Sequence, residues 1–185
     1  MGVIWKENAI VNVKLTYDLF TLVQMYQDPY LQFFKISNNT GKWGNVDLTD
    51  VSPYLFVATD RFFCRDRLVE KLKQVKPISI KPPQYAISTR FADGPCLVEP
   101  IFRDGIYDSF NAKIIKRGLD FVQDEELFRK YELINMELNW NLTTRLIYFF
   151  ETGNDICLDK LSRFYPNEFK KYSAIFKKRF VNGYK

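Results

Sequence analysis

Three cysteines and many carboxylates are the side chains of this 185-residue chain that could do chemistry, because histidine is absent. Without histidine, neither a Ser-His-Asp nor a Cys-His mechanism can form. Cys64, Cys96 and Cys157 are too far apart for a CxxC pair, so we expect buried thiols of a reducing compartment rather than a zinc site. The sequence predicts no catalytic residue, no metal ligand and no cofactor. An enzyme that uses carboxylates and a divalent ion stays open as the rival hypothesis.

Two stretches of the chain bring several carboxylates close together. Between residues 60 and 70 they alternate with arginines, a pattern that is typical of a solvated ion-pair surface. The acidic triplet at 124–126 could bind a metal or a basic partner. Carboxylates also favour the first turn of a helix, where they meet the positive end of the helix dipole, and this role needs no ligand.

Positive charge is concentrated in the last part of the chain. The net charge is +5, and residues 157–185 contain eight Lys or Arg side chains against two acidic ones. This pattern predicts a local basic patch, whose lysines include Lys170, Lys171, Lys177 and Lys178. Three interpretations stay open: a solvated face over packed aromatic side chains, a face that binds nucleic acid, or a face that docks an acidic partner or an anionic membrane.

The elements that must position these side chains are strands in the first part of the chain. Residues 9–15, 19–26, 30–36 and 53–59 are rich in β-branched, aromatic and long apolar residues. Asp28-Pro29 separates the second run from the third, which predicts a β-hairpin, and the almost continuous apolarity predicts that both faces are covered. Residues 84–88 and 96–102 are shorter strand candidates, and residues 103–116 are predicted to be irregular.

Helices are predicted late in the chain, after one ambiguous segment at 61–76 that fits a helix and a strand equally. The later helices are expected at 123–131, at 142–151 with Asn141 as N-cap and Gly153 as the end, and after Pro166. The fold class is therefore α+β, with residues 1–185 forming a single domain. Its β-rich body covers residues 1–105 with about five or six antiparallel strands, and its helical part covers residues 123–185 with two or three helices.

Five residues are the candidates for binding a partner. They are aromatic or Arg, the types that dominate the energy of tight interfaces, and polar neighbours predict that they are at least partly exposed. The candidates are Trp43, Arg61, Phe62, Arg65 and Trp140. The alternative is that the three aromatic side chains close over the core as lids.

The chain lacks the sequence signals of membranes and secretion. No apolar run approaches the roughly 18 residues of a membrane span, and residues 1–13 lack the basic start and apolar middle of a signal peptide. We therefore expect a cytoplasmic protein that does not enter the membrane. The sequence leaves its oligomeric state open.

The order of segments resembles bacterial immunity proteins of polymorphic-toxin and contact-dependent growth inhibition systems, namely immunity family 26. The similar stretches are LFTLVQMYQDPYLQFFKI, PYLFVATDRF, LVEKLKQV and YELINMELNWNLTTRLIYFFETG. The resemblance implies an α+β fold with a curved N-terminal antiparallel sheet. It also implies a cytoplasmic protein that binds and neutralises a cognate toxin by surface complementarity, without catalytic residues. The residues themselves offer the alternative of a protein that binds nucleic acid through its basic C-terminal helix.

Overall fold

The computed structural model describes residues 3–103, 106–134 and 136–177. Their contacts divide the chain into two compact units. The larger unit contains the residues up to Ile80 and those from Glu137 onward, and the smaller unit contains Lys81–Met136. The prediction that residues 1–185 form a single domain stays a prediction, because contacts alone do not measure folding cooperativity.

Strands come first and helices dominate the end of the described chain, which confirms the predicted α+β class. The strands are β1 Ile10–Lys14, β2 Phe20–Met25, β3 Tyr30–Asn38, β4 Pro53–Thr59, β5 Leu68–Lys71, β6 Ala86–Ser88, β7 Cys96–Arg103, β8 Ile106–Lys116 and β9 Met136–Glu137. The α-helices are α1 Arg61–Arg67, α2 Glu125–Lys130, α3 Asn139–Thr152, α4 Leu158–Phe164 and α5 Pro166–Phe176, and a short 3₁₀-helix covers Leu48–Asp50.

The larger unit is built on a six-stranded sheet in the order β5-β1-β2-β3-β4-β9. The predicted hairpin is confirmed: β2 and β3 pair antiparallel across the turn that contains Asp28-Pro29, with Val23 opposite Phe33. Strands β1, β2 and β3 are bonded on both sides, because β1 pairs with β5 and β2, and β3 pairs with β2 and β4. This central position explains why their sequences are almost continuously apolar.

Successive side chains on these strands enter two different cores. Val11, Val23 and Phe33 point to a cluster that includes Leu142 and Leu146 of α3. Their neighbours on the same strands enter a second cluster, which loops cover from the opposite side. Ile10, Leu22 and Phe34 are these neighbours. Both faces of the sheet are therefore covered, as the sequence predicts, because side chains alternate along a strand.

The smaller unit contains a three-stranded antiparallel sheet in the order β6-β7-β8. The prediction that residues 103–116 are irregular is wrong, since most of them form β8. Val98 pairs with Ile114, but the register shifts twice along β7 and β8. These shifts break the period-two pattern, which is why the sequence conceals the strand.

The ambiguous segment at 61–76 contains both elements that its pattern allowed. Helix α1 comes first and strand β5 follows it directly. Asp60 caps α1 by accepting a 2.7 Å hydrogen bond at Oδ1 from the backbone N–H of Phe63. Val13 of β1 pairs with Leu68 of β5. Pairing with β1 therefore decides where the helix gives way to a strand.

Four α-helices follow residue 123 in the described chain, and three of them are close to the predicted positions. Asn141 is not an N-cap, because α3 begins at Asn139 and its N-cap position is Leu138. Gly153 ends α3 as predicted, with a left-handed φ of 75° that suits glycine. Pro166 begins α5, and α4 was not predicted. Lys178, which was predicted to belong to the basic patch, lies outside the described residues.

Candidate protein-binding surface

A single carboxylate joins the starts of α1 and α3 in the larger unit. Asp60 follows β4, and its two oxygens have different partners. Oδ1 accepts the hydrogen bond from Phe63 in α1, and Oδ2 accepts one from the backbone N–H of Asn139 at 2.9 Å. The first N–H groups of a helix have no partner inside the helix, so a carboxylate there satisfies them and meets the positive end of the dipole.

Asn139 and Arg67 extend this joint to the end of β1. The Arg67 guanidinium donates from Nη1 to the backbone oxygen of Leu15 at 3.3 Å, and its Nε lies 3.5 Å from Oδ1 of Asn139. Asn139 in turn donates from Nδ2 to Oδ2 of Asp66 at 3.1 Å. The end of α1, the start of α3 and the turn between β1 and β2 are therefore held together by polar contacts.

Three of the candidate residues lie side by side on α1. Phe62 is 44% exposed. The guanidinium carbons of Arg61 and Arg65 lie 5.2 and 5.1 Å from the centre of that ring, which is the range of cation–π contacts. Arg65 also donates from Nε to Oδ1 of Asp66 at 2.6 Å, and this hydrogen bond lowers the pKa of Asp66.

Trp140, a fourth candidate, lies in the first turn of α3 and is 49% exposed. Two further exposed side chains, which were not among the predicted candidates, lie close in sequence to the residues of these polar contacts. Leu138 precedes α3, and Tyr17 lies in the turn between β1 and β2. The sequence could have indicated Tyr17, because Thr16 and Asp18 on either side of it are residue types that favour turns. In the structure the Thr16 hydroxyl donates to the Asp18 carboxylate at 2.8 Å.

We call these six residues the aromatic–arginine surface: Tyr17, Arg61, Phe62, Arg65, Leu138 and Trp140. They come from three segments that Asp60, Arg67 and Asn139 connect. The arrangement can bind a protein, because it combines large apolar rings with planar cations that also form hydrogen bonds.

Trp43 is not part of this surface. It is half-buried, and it packs against the cluster on the opposite face of the sheet. Its indole N–H donates to Oδ1 of Asn12 at 2.9 Å. Trp43 therefore acts as a lid on the core, which is the alternative that the sequence left open for the aromatic candidates.

A buried ionic cluster is centred on Arg145 of α3 in the larger unit. The side chain of Arg145 is 2% exposed and donates to Glu137 Oε1 at 2.5 Å. It also binds Asp155 through two hydrogen bonds of 2.7 Å, and the Tyr54 hydroxyl donates to the same carboxylate at 2.7 Å. The cluster connects α3 to β4, β9 and the segment that precedes α4, so it anchors the helix that carries Trp140.

The pKa values in this cluster show which charges the fold stabilises. Burial raises the pKa of Asp155, but hydrogen bonds and charge from Arg145, with help from Tyr54, outweigh burial and hold that pKa below its ordinary value. Burial and the Asp155 carboxylate raise the pKa of the Tyr54 hydroxyl. The cluster is therefore stable with Asp155 ionised and Tyr54 protonated.

Cys64 on α1 is a free, half-buried thiol. Burial, followed by the nearby carboxylates of Asp28 and Asp60, raises its pKa to about 11. The thiol therefore stays protonated at neutral pH, and Cys64 supplies little of the thiolate that a nucleophile needs.

The described part of α5 separates its aromatic and basic residues. Phe176 is fully buried, and it packs with Phe169 and Tyr172 against a cluster that includes residues of α4. Lys170, Lys171 and Lys177 are exposed. The aromatic stripe therefore serves packing, and the lysines form a solvated face. Over the ranges that the structure describes, no helix is both long and apolar enough to cross a membrane.

A family model described as a domain of unknown function, DUF8309, matches residues 1–165. The chain belongs to this family, and the match covers both units as far as the end of α4. No curated protein and no solved structure matches the chain.

Proposed function

We propose that this protein is an immunity protein that binds and neutralises a cognate toxin domain in the cytoplasm. The observation that carries the proposal is the aromatic–arginine surface, in which exposed Phe62 and Trp140 stand on two helices joined by Asp60. The resemblance to immunity proteins supplies the class of partner. Cys64, Cys96 and Cys157 are thiols rather than disulfide-bonded pairs, which agrees with a reducing compartment.

The energetics of association favour this surface over other exposed positions. Trp, Tyr and Arg are enriched among the interface residues whose replacement by Ala weakens a complex by about 2 kcal/mol or more. Association is weakened by the ordering of mobile side chains, at about 0.5–1.5 kcal/mol for each. Here Arg61 and Arg65 already stack on Phe62, so part of that ordering is complete before the partner arrives.

The charges of the surface define the partner that it fits. Arg61 and Arg65 flank Phe62, and Asp66 neutralises only one of them by an ion pair in the described structure. A toxin surface with an apolar centre and at least one carboxylate at its edge is complementary to this arrangement.

The test is growth rescue by co-expression with the toxin-like domain encoded directly upstream, together with size-exclusion chromatography of the purified pair. We expect a stable complex that forms without nucleic acid. Replacing Phe62 or Trp140 by Ala should weaken binding by about thirtyfold or more, which corresponds to about 2 kcal/mol. Phe102→Ala is the matched control, because Phe102 is 60% exposed on β7 in the smaller unit.

Two results would reject the immunity role. One is the absence of any growth-inhibiting partner in the neighbouring frame and in pull-downs. The other is catalytic turnover of DNA, RNA or nucleotides by the pure protein with Mg²⁺ or Mn²⁺ that a single Asp or Glu substitution abolishes. If Phe102→Ala weakens the complex as much as Phe62→Ala does, the role survives but the surface is wrong.

The second candidate function is nucleic-acid binding through α5. Its support is the exposed face with Lys170, Lys171 and Lys177, where the Lys171 ammonium lies 5.4 Å from the centre of the Tyr172 ring. This function requires an affinity that falls steeply with salt, by about 0.7–0.9 log units per contacted phosphate for each log unit of salt. Replacing the three lysines by Glu, together with Lys178, should abolish it.

A further inference from the structure

A groove of about 360 Å³ lies in the larger unit where β1 begins and β5 ends. It lies at one end of these two strands, whereas α1 of the aromatic–arginine surface lies at the other end. At the groove, Val11 pairs with Lys71, whereas Val13 pairs with Leu68 near the end of α1. The groove is therefore a separate feature of the larger unit, and the proposed function does not use it.

The floor of the groove is aliphatic. Ile10, Leu72 and Val75 line it, and all three belong to the core cluster on the loop-covered face of the sheet. Their side chains are held by packing, so the floor is a firm surface. An aliphatic side chain of a ligand would gain free energy there by leaving water.

The rim of the groove is basic. Lys6 and Lys73 are exposed, Lys71 is half-exposed, and Glu7 is the acidic side chain beside them. Among the residues that the structure describes, no salt bridge joins any of these three ammonium groups to a carboxylate. Within the part of the chain that the structure describes, the rim therefore carries a net positive charge that no salt bridge neutralises.

The backbone beside the groove is also available. Strand β5 is at the edge of the sheet, and the N–H of Leu72 donates to the oxygen of Ile10 at 2.9 Å. Because successive backbone groups of a strand point in opposite directions, the N–H and C=O of Lys71 point away from β1. A peptide in extended conformation can hydrogen-bond to such groups.

We propose that this groove binds an extended acidic segment of a partner polypeptide. An aliphatic side chain of the segment lies on the floor, and neighbouring carboxylates face Lys6, Lys71 and Lys73. Nucleic acid fits less well, because none of the described residues that line the groove is aromatic and able to stack on bases, and because Glu7 repels phosphate. The proposal does not depend on the toxin-neutralising function.

The probe for this site is a fluorescein-labelled peptide of alternating Glu and Leu, about eight residues long so that it exceeds the length of β5. Its anisotropy is measured with the full chain. We expect saturable binding, with shifts confined to the backbone amides of residues 6–10 and 71–75 in NMR spectra. A peptide with Gln in place of Glu should bind at least about tenfold more weakly, because the charge complementarity is lost.

Two double variants separate the groove from a general effect of charge. Lys6→Glu with Lys73→Glu should weaken binding by about tenfold or more, since both lysines are exposed and belong to the rim. Lys170→Glu with Lys171→Glu changes the net charge equally on α5 and should leave the affinity unchanged. Circular dichroism confirms that both variants are folded.

The proposal is overturned by any of three outcomes. One is equal binding of the Glu and Gln peptides, and another is equal loss in the two double variants. The third is tighter binding of a single-stranded oligonucleotide with shifts at the same amides. Because no toxin is present in this experiment, its failure leaves the immunity role standing, and failure of the immunity role leaves this site standing.

Discussion

Arg145 and Arg65 both bind an aspartate, yet their surroundings give them different roles. The Arg145 side chain is 2% exposed and hydrogen-bonds two carboxylates, whereas the Arg65 side chain is 65% exposed and binds only its neighbour Asp66 among the carboxylates described. Removing one member of a buried ion pair leaves an uncompensated charge, whereas an exposed pair exchanges its partner for water. The buried cluster thus stabilises the fold, and the exposed pair stays available to a partner.

The largest expected effect is on stability at the buried cluster. Arg145→Ala should reduce the free energy of unfolding by about 3–5 kcal/mol, because it removes the buried guanidinium that hydrogen-bonds to the buried Glu137 carboxylate. Arg65→Ala is the control and should change that free energy by less than about 1 kcal/mol. Urea unfolding followed by circular dichroism measures both. Similar losses in the two variants would show that the comparison is wrong.

A smaller effect is expected at Asp60, which connects the two helices of the exposed surface. Asp60→Ala removes hydrogen bonds at the starts of α1 and α3, and each cap is worth about 1 kcal/mol. Asp47→Ala is the control, because Asp47 caps only the 3₁₀-helix: it accepts one backbone hydrogen bond from Thr49, and it also accepts one from the exposed Thr49 hydroxyl. We expect Asp60→Ala to cost about twice as much as Asp47→Ala in thermal or urea unfolding. Equal costs would mean that Asp60 does not join the two helices.

Acid should affect the two regions differently. The pKa of Asp155 is lowered in the folded protein, so the stabilisation from its ionised form is present above its ordinary value of 3.8 and is lost as the pH falls below that value. Asp155→Asn should therefore reduce stability at pH 7 and flatten the decline below about pH 4. Asp66→Asn should flatten the decline much less, because the pKa of Asp66 is also lowered but its ion pair is exposed and screened by water. If the stability of the Asp155→Asn variant declines below about pH 4 as steeply as that of the wild type, Asp155 is not the group responsible for the decline.

The smallest effects should come from the tryptophans. Trp43→Phe removes the hydrogen bond to Asn12 and should lower stability by about 1 kcal/mol. Trp140→Phe should change stability by less than about 0.5 kcal/mol, as is usual for surface positions. It should also remove the component of fluorescence that acrylamide quenches most readily. If Trp140→Phe lowers stability more than Trp43→Phe does, Trp140 is the lid on the core and Trp43 is the better candidate for binding.

Local patterns were sufficient to predict much of the fold. The hairpin of β2 and β3, strand β4, helix α2 and the end of α3 at Gly153 all follow from residues that are close together in sequence. Local patterns failed at β8, where two register shifts interrupt the alternation, and at α3, which begins before Asn141. The N–H of Asn139 finds its partner 79 residues away at Asp60, and no local pattern contains that pairing.

The sequence by itself determined which residue types were available to the candidate surface. Arg65 follows Phe62 by three positions and Arg61 by four, so its side chain is a neighbour of both wherever this segment forms a helix. The sequence could not decide between Trp43 and Trp140, since both are flanked by polar residues. The tertiary structure decided this: the loop after β3 brings Trp43 to Asn12, and the Asp60–Asn139 contact places Trp140 at the exposed start of α3. Exposure depends on what packs against a side chain, and distant segments supply those contacts only after the chain has folded.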